Sequence, residues 1–380
     1  MSTSPRKPNP HNDPDPGSVA AGNSAENPSG EDASSETGQT GGPTPDRPRR
    51  KWLTRRRLLP LIGLTLFVLA IHVLQNEIQQ FSWDTFKGHV LLIPNHQLLL
   101  ALAVTVTGYL ILPFYDKLAL VHFGIRLPWR RVAKASFLGF AFSHNITPSL
   151  LVGGTIRYRI YSAYGISGFN VTKVVGFCAI TLWLGFMALG GVVFTGTTVR
   201  FPDETYWPLQ NLQILGWIFL LLCITYLILC RNIRATIAFR GKIFQLPTLP
   251  VAIAQLIVPS LDLIASSLIL YLLLPPIPEL TYPLFLAIYL IGFMGGIISQ
   301  VPGGLGVIET ILVVMLGSFI DSAQILSAVL VYRLYYFIAP LLVAAVLLAT
   351  HEIRQRRKAR RAAAQAMEPE AVDQEDDRHD

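Results

Sequence analysis

The residues best placed to do chemistry are ionisable groups set beside chain-breaking residues inside apolar runs. Between Ser299 and Glu309 stand Pro302, Gly303, Gly304 and Gly306, with Glu309 closing the stretch. Apolar sequence long enough to enter a bilayer flanks it on both sides. Inside a membrane, backbone groups freed by such a break find no water, so breaks persist only where protein buries them or where they line a cavity. A carboxylate at such a break marks a functional position and requires a partner or a wet cavity. Arg333 is the expected partner of Glu309, with Arg157 second. A second candidate break holds His144, Asn145 and Pro148, followed by Gly153, Gly154, Arg157 and Arg159. Arginine forks match a lipid phosphate well, although arginines at this position equally suit anchoring at a headgroup interface. Asp262 falls mid-run, three residues after Pro259, where a carboxylate fits ion or proton coupling, or a hydrogen bond to a neighbouring helix. His144 and Asn145 suit the satisfaction of backbone groups freed near Pro148.

Other chemistries find little support. No Ser/His/Asp set, metal-ligand cluster or phosphate-cradling loop stands out, and neither a metal nor another cofactor is expected. The three cysteines, Cys178, Cys223 and Cys230, all lie in apolar runs and read as small packing residues. The chain is 51% hydrophobic and only 14% charged over 380 residues, whereas soluble domains are about one quarter charged. Most of its length therefore belongs in lipid. The net charge of +7 does not indicate nucleic acid, because the basic residues cluster beside apolar runs, as cytoplasmic loops do.

A spanning helix needs roughly 20 mainly apolar residues. Residues 1–50 contain no aromatic residue, leucine or isoleucine, cannot bury a core, and are expected to be a disordered tail without a cleavable leader. Residues 51–350 form the integral membrane domain, and 351–380 a charged cytoplasmic tail. Spans are expected near Leu58–Leu74, Leu98–Leu118, Val174–Thr195, Ile214–Cys230, Val251–Leu274 and Gln324–Thr350, with a short interfacial helix near Phe81–Leu92. Cations border both ends of Ala135–Gly154, which predicts a re-entrant hairpin broken near Asn145–Pro148. Pro283–Phe319 reads as a second hairpin or as two spans, and the short half after the glycines favours the hairpin. Thr197–Leu212, acidic on balance, suits the outer side. The basic clusters Arg49–Arg57 and Arg354–Arg361 put both termini in the cytoplasm. The expected fold is thus all-α and polytopic, with six to eight spanning helices and one or two re-entrant broken helices. If the two hairpins enter from opposite sides, the arrangement is that of an inverted repeat, with a site where the breaks meet.

The stretch Gly153-Gly154-Thr155-Ile156-Arg157-Tyr158-Arg159-Ile160-Tyr161, together with Val301-Pro302-Gly303-Gly304-Leu305-Gly306-Val307-Ile308-Glu309, resembles the transmembrane domain of the lysylphosphatidylglycerol synthase/flippase family. Ser260-Leu261-Asp262 with Leu270-Tyr271, and Tyr332-Arg333-Leu334-Tyr335-Tyr336 with Pro340, carry the same likeness. The resemblance runs from about Leu58 to Thr350. It implies an inner-membrane protein that handles lipid. Bifunctional members add a cytosolic domain that transfers an amino acid from tRNA to lipid. This chain resembles the stand-alone membrane branch, so the synthase activity is not expected of it.

The reading that follows is a multi-pass protein of the inner (plasma) membrane that moves a phospholipid or modified lipid between leaflets. The headgroup would pass a polar groove lined by Arg157, Arg159, Asp262, Glu309 and Arg333, with backbone breaks at Pro148, Gly153, Gly154, Pro302, Gly303, Gly304 and Gly306. The expected ligand is an anionic phospholipid or an aminoacylated lipid. The alternative is a membrane partner of a separately encoded lipid-synthesis enzyme that transports nothing. An intramembrane lipid enzyme ranks last, because no nucleophile–base pair is visible.

Overall fold

The computed structural model describes residues 83–146, 149–197, 212–232, 237–239, 242–244, 246–350 and 353. The expected tails, the first span Leu58–Leu74, Pro148, nearly all of the Thr197–Leu212 loop and the terminal basic clusters lie outside the described residues. Within them the regular elements are helices apart from one short antiparallel pair of strands, β1 (Ile237–Phe239) and β2 (Lys242–Phe244), with Ile237 opposite Phe244. This ribbon lies between the expected spans Ile214–Cys230 and Val251–Leu274.

The helices are α1 (Trp83–Leu92), α2 (Asn95–His122), α3 (Trp129–Asn145), α4 (Ser149–Ser162), α5 (Gly168–Gly196) and α6 (Leu212–Asn232), followed by α7 (Leu249–Leu273), α8 (Tyr282–Ser299), α9 (Val307–Leu316) and α10 (Ser322–Thr350). Six of them, α2, α5, α6, α7, α8 and α10, are long and apolar enough to cross a membrane. The protein is a multi-pass, all-α membrane protein. α1 is the short helix expected before the second span, and it packs on α10.

Both interrupted segments fold back on themselves. In the first, Ser143 Oγ donates to Ser149 O at 3.0 Å, and Gly139 lies against Gly153 and Arg157. Contacts that pair early residues of α3 with late residues of α4 mean antiparallel arms. In the second, Gly296 meets Ile308 and Gly292 meets Ile311, the same pattern between α8 and α9. α9 has 10 residues, so it rises about 15 Å, half of a ~30 Å hydrocarbon core. That length fits a hairpin arm and not a second span.

Close approach of backbones holds the bundle together. α2 runs along α7, with Gly108 facing Ala265. Gly185 of α5 sits under the Pro259 ring of α7, and Gly191 and Gly216 let α5 and α6 touch through Leu220 and Thr195. Small residues serve this purpose in membranes, where apolar side chains gain nothing by leaving lipid for protein. The main core lies among α2–α5 and α7–α10. A smaller one, built on Phe186, Phe194, Leu263 and Leu290, joins α5 and α6 to α7 and α8. Exposed apolar side chains such as Trp217, Leu221 and Ile224 of α6 face outward, as lipid contact requires.

Candidate functional site

The second break is built by residues that only a tight reversal needs. α8 ends on Gln300 with φ 56°, and Gly303, Gly304 and Gly306 hold φ 60°, 62° and 79°. Left-handed backbone of this kind carries little penalty for glycine. Gly306 then opens α9, placing Glu309 in its first turn, where the positive end of the helix dipole favours a carboxylate.

Glu309 meets Arg333 of α10. The Arg333 Nε donates to Glu309 Oε1, Nη2 approaches the same oxygen, and Nη1 donates to the Gly303 carbonyl at 3.1 Å. The two side chains are about one tenth exposed (10% and 11%). One arginine thus ties the carboxylate to the turn that positions it. Glu309 Oε2 is buried with no hydrogen-bond partner in the protein.

The two hairpin tips touch each other here. A Cβ on Gly303 would lie 3.6 Å from the His144 carbonyl oxygen. Immediately after Arg333, α10 widens into a π turn at Leu334–Ile338. Such turns loosen the regular ladder and are common at functional sites. Side chains from other helices cover its carbonyls: Tyr109 Oη donates to Tyr336 O at 2.8 Å, and Asn145 Nδ2 to Phe337 O at 3.1 Å. Asn145 also caps its own helix through Ala141 O. Its task is therefore shared between its own break and the distant π turn. His144 stacks on Tyr336 (centroids 5.5 Å apart, 19° between planes) and also lies near Phe140 and Phe337; its Nδ1 is buried without a partner.

Arg157 is not a second partner for Glu309. Its Nε donates to both oxygens of Asp116 at 2.9 and 3.0 Å, and Asp116 is fully buried in α2. Tyr161 Oη (3.2 Å) and Cys178 Sγ (3.3 Å) donate to the same carboxylate. The guanidinium also lies 4.5 Å over the Phe140 ring. Nη2 stays buried and unpartnered. Asp116 was missed, though a single aspartate inside the expected span Leu98–Leu118 was a signal: a charge at that depth implies a buried counter-charge.

One expectation needs correcting. Gly153 and Gly154 are not at the break but inside α4. Gly153 is there for space, since a Cβ would stand 2.9 Å from Arg157 Nη1 and closer still to Ser143 Oγ; Gly139 gives the same clearance from α3. The break itself follows Asn145. Asp262 accepts hydrogen bonds from Tyr115 of α2 and Tyr336 of α10, which is the hydrogen bond to neighbouring helices that was one of the two roles expected for it. Arg159, one residue from the buried Ile160, is exposed on the outer face of α4. Among the described residues no group of His, Cys, Asp and Glu is arranged to hold a metal. The three cysteines are free and buried.

These features define a class: a polytopic helical membrane protein in which two broken hairpins meet tip to tip around buried ion pairs. Residues 60–344 match the family described as the lysylphosphatidylglycerol synthase TM region, and the chain belongs to that family. It is 34% identical over 313 residues to an uncharacterized protein of Synechocystis sp., covering 82% of this chain and 97% of the relative. It is 31% identical over 299 residues to the inner membrane protein YbhN of Escherichia coli, covering 78% and 92%. A phosphatidylglycerol lysyltransferase of Staphylococcus haemolyticus is 21% identical over 301 residues, which is 77% of this chain but 34% of that enzyme.

Proposed function

We propose that the protein moves a polar lipid headgroup between the leaflets of the inner membrane, along the zone where the two hairpin tips and the π turn of α10 converge. The observation that carries this reading is the Glu309–Arg333 pair. Opposite charges, about nine tenths buried, meet beside a glycine turn, with one carboxylate oxygen left without a protein partner. A purely structural pair gains most when every acceptor is used. An unused oxygen at a chain break suits a ligand that comes and goes. A cationic or amine-bearing headgroup would take Glu309 Oε2, while a phosphate would draw on Arg333.

The ligand class is an anionic phospholipid or an aminoacylated lipid. The name of the phosphatidylglycerol lysyltransferase relative lends support to that class. The chain matches about a third of that enzyme's length, so we carry over the lipid class and not the synthase activity. Both termini are taken as cytoplasmic from the basic clusters that flank the membrane domain.

The test is leaflet-resolved lipid labelling in a deletion strain complemented with wild type, Glu309→Gln, Arg333→Gln or the double variant. Each single change should abolish redistribution. The double variant should regain the folded yield of wild type without regaining activity, because removing both charges leaves neither uncompensated. Recovery of yield and activity together would make the pair structural. Wild-type protein that leaves leaflet distribution unchanged while co-purifying with a lipid-synthesis enzyme would replace transport with the scaffold role.

A further inference from the structure

Three buried carboxylates stand within the described bundle, and two have arginines: Asp116 has Arg157, and Glu309 has Arg333. Asp262, near the middle of α7, has none among the described residues. It is 6% exposed. Its partners are neutral hydroxyls, Tyr115 Oη to Oδ2 at 3.0 Å and Tyr336 Oη to Oδ1 at 3.3 Å. A carboxylate held only by neutral donors in a low-dielectric interior is costly as an ion, and binding a proton removes that cost. If hydrogen bonding were its whole purpose, asparagine would supply an acceptor without the charge.

The surroundings accommodate either state. Tyrosine hydroxyls both donate and accept. With Asp262 ionised, both tyrosines donate to it; with Asp262 neutral, the acid O–H donates and one hydroxyl rotates to accept. The groups facing it come from several helices. α2 contributes Tyr109 and Tyr115, with Cys178 of α5 beside Tyr115. α8 contributes Tyr289, whose hydroxyl bonds those of Tyr332 (2.9 Å) and Ser266 (3.0 Å). α10 contributes Tyr332 and Tyr336, stacked at 5.6 Å. From α3, His144 stacks on the other neighbour of this set, the Tyr336 ring. None of these is a paired cation.

We propose that Asp262 takes up a proton from one side of the membrane and releases it to the other, coupling the proton gradient to lipid movement; this rests on the translocation reading above. The coupling element is the π turn. Tyr336, which donates to Asp262, lies in that turn, three residues after Arg333. A change in the Tyr336 hydrogen bond therefore bears on the segment that carries the arginine of the Glu309 site. The proton balance is simple: carboxylate plus proton gives the neutral acid on loading, and the reverse on release, with no other bond made or broken.

Two measurements test this. Purified protein in vesicles of phosphatidylethanolamine and phosphatidylglycerol, carrying a trace of fluorescent phosphatidylglycerol, is subjected to a pH gradient. For one proton per lipid, a one-unit gradient should shift the wild-type leaflet ratio by up to about tenfold. Asp262→Asn should show no gradient-driven shift of the leaflet ratio. Separately, pH-difference infrared spectroscopy of the wild type should reveal a buried carboxylic acid band that titrates; it should be absent in Asp262→Asn and displaced in Asp262→Glu. A gradient-insensitive wild type, or an Asp262→Asn protein that responds like wild type, overturns the coupling. Absence of the band overturns the proton site even if asparagine impairs folding. If wild type moves no lipid at all, the translocation reading and the coupling fall together, whereas the infrared band alone decides whether Asp262 exchanges a proton.

Discussion

Replacing Asp116 with asparagine removes the charge that compensates Arg157 while keeping the size and shape of the side chain. Arg157 is then a cation 3% exposed, with its Nη2 already unpartnered and the Phe140 face against its guanidinium carbon. It cannot turn out to water easily, because Gly139 and Gly153 clasp it from both arms of the first hairpin. Breaking one member of a buried pair costs about 3–5 kcal/mol. At about 1.4 kcal/mol per decade, the folded-to-unfolded ratio falls by two to three and a half decades. The loss is also local, since α2 and the hairpin are joined through this pair. The assay is unfolding by sodium dodecyl sulfate in lipid–detergent micelles, followed by tryptophan fluorescence and helical circular dichroism. Asp116→Asn and Arg157→Met should each lower the midpoint sharply. Asp116→Leu combined with Arg157→Met should recover most of the loss, because apolar residues of similar volume replace buried pairs at little cost. An unchanged midpoint for Asp116→Asn, or a double variant no better than the singles, would refute the structural role. If the double variant is stable yet inactive, Arg157 also touches lipid.

Other expectations follow from the packing and the topology. Gly185→Ala puts a Cβ 2.3 Å from Cβ of Pro259, a rigid neighbour, and should destabilise by about 1–3 kcal/mol; Gly176→Ala, which meets open space, should be neutral in the same unfolding assay. A cysteine at Leu305, in the tip of the second hairpin, should react poorly with an impermeant thiol reagent added from the cytoplasm, while one at Arg234 should react well; equal labelling at both would mean that the turn opens to the cytoplasm. Reporter fusions at either terminus should be active only in their cytoplasmic form.

Much of the fold could be read from the chain alone, because the bilayer constrains length and composition together. Apolar runs near span length predicted spans at α2, α5, α6, α7 and α10, each displaced by a few residues at its ends. The proline and glycines from Pro302 to Gly306 predicted the second reversal, because left-handed backbone needs glycine and the remaining α9 is too short to cross. The pairing of Glu309 with Arg333 was legible from charge: each lies where an unpaired ion is costly, and the signs are opposite. Gly153 and Gly154 misled, because glycine serves both reversals and close packing, and the sequence does not separate the two uses. What covers a glycine is a tertiary fact, and here it is the Arg157 guanidinium.

The choice of partners was likewise left to the tertiary structure. Asp116 and Arg157 are far apart in the chain and meet because α2 and the first hairpin pack side by side. Nothing local distinguishes this match from Arg157 with Glu309. The π turn of α10 leaves no composition signal, and its carbonyls are covered by Tyr109 and Asn145 from other helices. Sequence determined that charges sit inside the membrane and must be compensated, since desolvation applies at every register. Only the packed bundle decided that two carboxylates received arginines and that Asp262 received tyrosines, because that depends on which helix faces come within hydrogen-bond reach.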